Sequence, residues 1–316
     1  MLRIDNGIDL SGGRSPKATF LVVIGFVLVG LFVGQLIASI ATGVMAVLNG
    51  LSMEEFMENP SLLYDYLDLG EVLGGQSLYT LFFTFFVPWF YLKNFAKKSI
   101  GDLSINKETT PLLVAVAFLA TFSFMPLNSY IAEWNQAWTF PEFMSGFEDW
   151  ARSLEDDLAE TTEKFTNFQT FGQFILGLVV ISILPGIGEE LLFRGIVQNS
   201  LHRWTKNHHV AIWVGAFLFS FIHFQFFGLV PRMVLGAIFG YLYVWSGNIW
   251  YPIVAHMANN GISVLLVYLL NIGVFSEDME STEQLPLVYA GIALVAFVAF
   301  MLIFKKQFSK QTLPSE

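Results

Sequence analysis

Cysteine is absent from the chain. That excludes disulfides, thiolate nucleophiles and cysteine-bound zinc or iron–sulfur centres. Charge is scarce too: Asp, Glu, Lys and Arg make up 13% of the residues, against roughly 25% in soluble domains. No basic stripe is present, which excludes nucleic acid as a partner. Two hydrolase signatures are also missing, the H-E-x-x-H helix of zinc proteases and the G-x-S-x-G elbow of serine hydrolases. Internal repeats and low-complexity tracts are absent as well.

What fills the space is apolar. Hydrophobic residues make up 54% of the chain, and they come in blocks at about 18–48, 74–92, 111–132, 169–187, 210–227, 229–246, 249–273 and 286–304. Several reach the roughly 20 residues that a helix needs to cross a bilayer. The expectation is an all-α polytopic membrane bundle of about eight transmembrane helices, with the lipid bilayer as its surroundings. Arg14 and Lys17 precede a first apolar run too long for a signal peptide's apolar region, so that run is read as a retained helix.

The loops alternate in charge. Glu54, Glu55, Glu58, Asp65, Asp68 and Glu71 occupy 49–73 without a basic residue; 133–168 is strongly acidic, and 274–285 carries Glu277, Asp278, Glu280 and Glu283. Lys93, Lys97, Lys98, Lys107, Arg203, Lys206, Lys305 and Lys306 fall in the intervening connections, with Arg3, Arg14, Lys17 and Lys310 in the tails. The positive-inside rule puts both termini in the cytoplasm and the acidic loops outside. The chain divides into an N-terminal membrane region at 1–168 with three helices and an acidic extracytoplasmic loop, a four-helix core at 169–273, and a C-terminal helix with a basic tail at 274–316. Within the acidic loop, 143–165 is read either as a surface helix or as a solvated connector.

Ionisable groups inside spans are costly and mark functional sites. They concentrate in three places. In 185–196 (PGIGEELLFRGI), Glu190 and Arg194 stand one turn apart in the favourable order for an ion pair. Glu189 points about 100° away and is left as a carboxylate able to act as a general base. The competing reading is a structural salt-bridge cluster. His223 sits in a Phe-rich helix, where a helix-packing hydrogen bond competes with catalysis. His256 and Asn260 share one helical face and can both donate toward a developing oxyanion; polar glue between helices is the alternative. Arg232 sits near the outer edge of its block and can snorkel to the interface. Gly186-Ile187-Gly188-Glu189 superficially resembles the G-x-G-D of aspartyl intramembrane proteases, but no second span carries the partner carboxylate that chemistry needs.

Glu189-Glu190-Leu191-Leu192-Phe193-Arg194, Phe219-Ser220-Phe221-Ile222-His223 and His256-Met257-Ala258-Asn259-Asn260 match the E-E-x-x-x-R, F-x-x-x-H and H-x-x-x-N pattern of the CPBP family of CAAX proteases and bacteriocin-processing enzymes, also called Abi. The resemblance covers about 170–265. It implies an intramembrane endopeptidase related to the type II CAAX prenyl endopeptidase, in a multi-pass protein of a bacterial inner membrane. It also implies that Glu189 and His223 activate a water, that His256 and Asn260 form the oxyanion site, and that Glu190 and Arg194 support them. The substrate would be a peptide or protein reached from the membrane or the cytoplasmic side. The family has also been described as metalloproteases; a single divalent metal such as Zn would then take Glu189, His223 and His256 as ligands, although a metal-free water is favoured and no cofactor is expected. The cavity is expected to open toward the cytoplasm. A non-catalytic scaffold or bacteriocin-immunity protein, and a transporter with a proton relay, are the alternatives.

Overall fold

The computed structural model describes residues 7–275 and 287–309. The acids Glu277, Asp278, Glu280 and Glu283 of the expected third acidic loop lie outside the described residues, as do Arg3 and Lys310. The described residues hold helices and no strand. In order along the sequence the helices are α1 Pro16–Leu48, α2 Met53–Glu58, α3 at 69–96, α4 Pro111–Gln136, α5 Ser145–Thr166, α6 Phe171–Thr205, α7 His208–Phe221, α8 Leu229–Ser246, α9 Trp250–Asn271 and α10 Leu287–Ser309.

Local chemistry sets many of their ends. Ser15 caps α1 ahead of Pro16, which needs no N–H partner at the first helical position. Asp68 with Glu71 and Thr170 with Gln173 form reciprocal capping boxes at the starts of α3 and α6. Asn207 accepts from His209 and Val210 to start α7, and Gly247, at a left-handed φ of 63°, closes α8.

The eight apolar blocks fall on helices, the block 210–227 only as far as Phe221. Among the described residues, six helices are long and apolar enough to cross a membrane: α1, α4, α6, α8, α9 and α10. α7 has only 14 residues, about 21 Å of helix against a hydrocarbon core of roughly 30 Å. It stops short of a full span, and the irregular stretch 222–228 follows it. Irregular backbone at that depth must be covered by protein or line a cavity, and α5 supplies the cover. Phe147 meets Phe226 with ring centroids 5.2 Å apart, Arg152 stacks over Phe227, and Glu155 accepts the Phe227 N–H at 3.0 Å. Burial pushes the Glu155 carboxyl above the ordinary carboxylate range. The stretch 143–165 is therefore a helix docked on the bundle and not a solvated connector.

The two ends of the bundle are distinct. At one, Arg203 pairs with Asp9 at 3.5 Å and Arg14 donates to the Phe95 carbonyl, close to Lys97, Lys98 and Lys206. At the other, Lys164 of α5 pairs with Asp65 and Asn271 donates to the Thr166 carbonyl. The basic and acidic connections thus sort to opposite ends, as the alternation in the sequence requires.

Candidate active site

α6 carries the first motif. Its backbone widens into π-helical turns at Leu178–Ile183 and Leu191–Gln198, on either side of Leu184–Glu190; such turns are frequent at functional sites. Pro185 has no N–H, so the Ile181 carbonyl loses its usual donor four residues on. Asn260 of α9 replaces it, donating from Nδ2 at 3.0 Å, and Ser182 Oγ returns a bond to the Met257 carbonyl at 2.8 Å. The glycines just before Glu189 permit this close approach. A Cβ on Gly186 would stand 2.5 Å from Met257 Cγ, and one on Gly188 would collide with Thr84 Oγ1 of α3.

Glu190 and Arg194 form the expected pair, Nη1 donating to Oε1 at 2.9 Å, both side chains almost fully buried. Arg194 Nη2 donates to the Gly236 carbonyl at 2.8 Å, and its guanidinium lies over Phe219 and also near the Phe239 ring. Glu190 has a second partner that the sequence did not suggest: His256 Nδ1, 2.8 Å from the same Oε1. A carboxylate held by Arg194 accepts, so Nδ1 carries the proton, and His256 presents Nε2 to Glu189 Oε2 at 3.8 Å. Glu189 is partly exposed and lines a cavity.

His223 lies just past the last residue of α7, not inside a helix as its Phe-rich surroundings suggest. Its Nδ1 bonds the Phe219 carbonyl at 2.8 Å, one of the last-turn carbonyls that a helix end leaves without a partner. In the neutral ring this leaves the lone pair on Nε2. The next residue, Phe224, has a left-handed φ of 55°, which reverses the backbone at that point.

Glu189, His223, His256 and Asn260 all line one cavity of about 730 Å³. It runs from these residues toward Leu158, Thr161, Thr162 and Phe165 of α5. It therefore extends toward the acidic end of the bundle. The physical reason is that α6 continues 16 residues beyond Glu189 to Thr205, and residues 191–202 are buried without a break, sealing the basic end. Arg232 is half-buried and lines the cavity. As for a metal, among the described residues no three His, Asp or Glu side chains gather closely enough to hold one ion, so the set Glu189, His223 and His256 does not fit one in this arrangement.

A polytopic helical membrane protein with a carboxylate, two imidazoles and a carboxamide around one cavity is the class that fold and site define. Residues 171–262 match the family model described as type II CAAX prenyl endopeptidase Rce1-like, which bears out the resemblance carried by the three motifs. The protein is 29% identical over 114 residues to the membrane-embedded CAAX protease MroQ of Staphylococcus aureus, covering 34% of this sequence and 44% of that protein. It is 29% identical over 119 residues to the putative membrane peptidase YdiL of Bacillus subtilis, covering 38% and 47%, and 25% identical over 83 residues to the uncharacterized protein YpbD of the same organism, covering 25% and 39%. The match thus spans less than half the length of these curated relatives. No solved structure matches it.

Proposed function

We propose that this protein is an intramembrane endopeptidase that hydrolyses a peptide bond in the cavity beneath α5, with the basic end of the bundle in the cytoplasm. The observation that carries the reading is the convergence of Glu189, His223, His256 and Asn260 on one cavity with their supporting bonds already made. A water between the Glu189 carboxylate and His223 Nε2 gives a proton to the carboxylate as its oxygen attacks the scissile carbonyl carbon. The charge developing on the carbonyl oxygen needs a donor. His256 can donate from Nε2 only as an imidazolium, because Nδ1 is committed to Glu190; the glutamates on either side of the ring are the counter-charges that such a form needs. Asn260 keeps one amide hydrogen beyond the bond to Ile181. Collapse of the tetrahedral intermediate breaks the C–N bond, and the proton held by Glu189 passes to the leaving amine.

The test is mass-spectrometric mapping of cleavage in a peptide mixture, using full-length protein in detergent micelles. Glu189→Gln and His223→Ala are expected to lower the rate about 10²–10⁴-fold, and Asn260→Ala about 10²–10³-fold, with chelator leaving the wild type unaffected. Unaltered cleavage in Glu189→Gln would rule the assignment out, and absence of cleavage by folded wild type would favour the scaffold or immunity reading.

A further inference from the structure

The cavity wall carries a second carboxamide that the hydrolytic steps leave unused. Asn259 of α9 lines it beside His256, Asn260 and Ser263. The direction of its amide follows from its neighbours. The Ile181 carbonyl can only accept, so Asn260 must turn Nδ2 toward it. That leaves Asn260 Oδ1 facing Asn259, which donates to it from Nδ2 at 3.1 Å. The end left over in this relay is therefore an acceptor, Asn259 Oδ1. Among the described residues nothing donates to it, and it is not one of the unpartnered atoms shielded from solvent. Nor does the Asn259 side chain bond another helix among the described residues. The bonds that join α9 to α6 at this level come from Asn260 and Ser182. Polar glue between helices does not account for Asn259.

A peptide that enters the cavity gives up the water on its backbone, and each N–H and carbonyl then needs a partner from the protein. His256 and Asn260 offer donors, which suit the carbonyl oxygen. The N–H groups need acceptors, and Glu189 is committed to the water. Asn259 Oδ1 is a neutral acceptor one residue along α9 from Asn260, and so beside the reacting carbonyl. We propose that Asn259 is a substrate-binding residue whose Oδ1 accepts a backbone N–H of the peptide next to the scissile bond, while its Nδ2 holds the Asn260 carboxamide in its orientation. Recognition at this point reads the backbone and not a side chain. The proposal rests on the reading of this cavity as a peptidase site.

The test uses full-length protein in detergent micelles and a synthetic peptide that it cleaves. The peptide is resynthesised with a backbone ester in place of one amide at a time, on either side of the cleaved bond. Each ester removes one N–H and puts a lone pair in its place. At one position this is expected to lower kcat/KM about 5- to 100-fold, the range for a buried acceptor left unsatisfied. Asn259→Ala should impose a comparable loss on the all-amide peptide and leave that one ester nearly unchanged. Asn259→Gln, the same carboxamide on a longer arm, should restore part of the discrimination. Adding Asn260→Ala to Asn259→Ala should cost less than Asn260→Ala does alone, because the two carboxamides act as a unit. A purely structural role for Asn259 would lower amide and ester alike. Fluorescence anisotropy of the labelled amide and ester peptides on Glu189→Gln protein, with and without Asn259→Ala, reads the contact without turnover. If no peptide is cleaved, the peptidase reading fails, and the contact is decided by binding, with the esters built on a peptide that Glu189→Gln protein retains; if it retains none, the proposal fails too. Equal loss on the amide and on every ester, or no loss on either, in cleavage or in binding where cleavage is absent, overturns the proposal.

Discussion

The second half of α6 and the whole of α10 are the two extremes of this molecule. Residues 191–202, LLFRGIVQNSLH, include an arginine, a glutamine, an asparagine, a serine and a histidine, and every one of these twelve positions is buried. α10 is almost wholly apolar up to Lys305, yet Leu287, Val288, Ile292, Val295 and Leu302 are mostly exposed. A soluble protein would arrange them the other way round. In lipid, an apolar side chain gains little by leaving the hydrocarbon for a helix interface, so packing and polar contacts decide which helix lies inside. A polar group left facing lipid finds no partner at all. Asn199 illustrates the result: it donates to the Arg194 and Gly195 carbonyls and to Tyr243, and accepts the Ile8 N–H.

That contrast can be broken experimentally, beginning with the largest effect. Arg194→Ala removes the partner of a fully buried Glu190 and is expected to cost about 3–5 kcal/mol, read as a large drop in the thermal unfolding midpoint in detergent. A small shift would mean that the polar interior of α6 does not hold the bundle together. Asn199→Ala strands several buried groups at once and should cost about 1–3 kcal/mol, measured the same way; an unchanged midpoint would show that water or neighbours replace its bonds. At the other extreme, Ile292→Ala and Val295→Ala on the outward face of α10 should stay within about 0.5 kcal/mol of the parent. A loss of several kcal/mol there would reveal a protein partner on that face in place of lipid.

Much of this organisation is local and was legible in the residues. Membrane placement followed from run length, because the bilayer sets a minimum helix span. The Glu190–Arg194 pair followed from a four-residue spacing on one helix face. Glu189, His223, His256 and Asn260 were readable because ionisable and amide groups are rare in such spans. The structure brings these four to one cavity.

Other features were settled only by tertiary contacts. His256 binds Glu190 across 66 residues of sequence, and Arg194 reaches Gly236 across 42; no periodicity within a helix encodes either. The early end of α7 could not be read from hydropathy, since block 210–227 is mostly apolar to its end, and it is this end that lowers His223 to the depth of the cavity. Arg232 looked free to snorkel because a sequence does not say which face of a helix meets lipid and which lines a cavity. The direction in which the cavity extends was likewise decided by packing: buried residues 191–202 close the basic side, and the cavity runs toward the helix of the acidic loop. Composition and spacing determine which residues enter the membrane. Which of them face one another there depends on how distant helices pack, and only the folded protein expresses that.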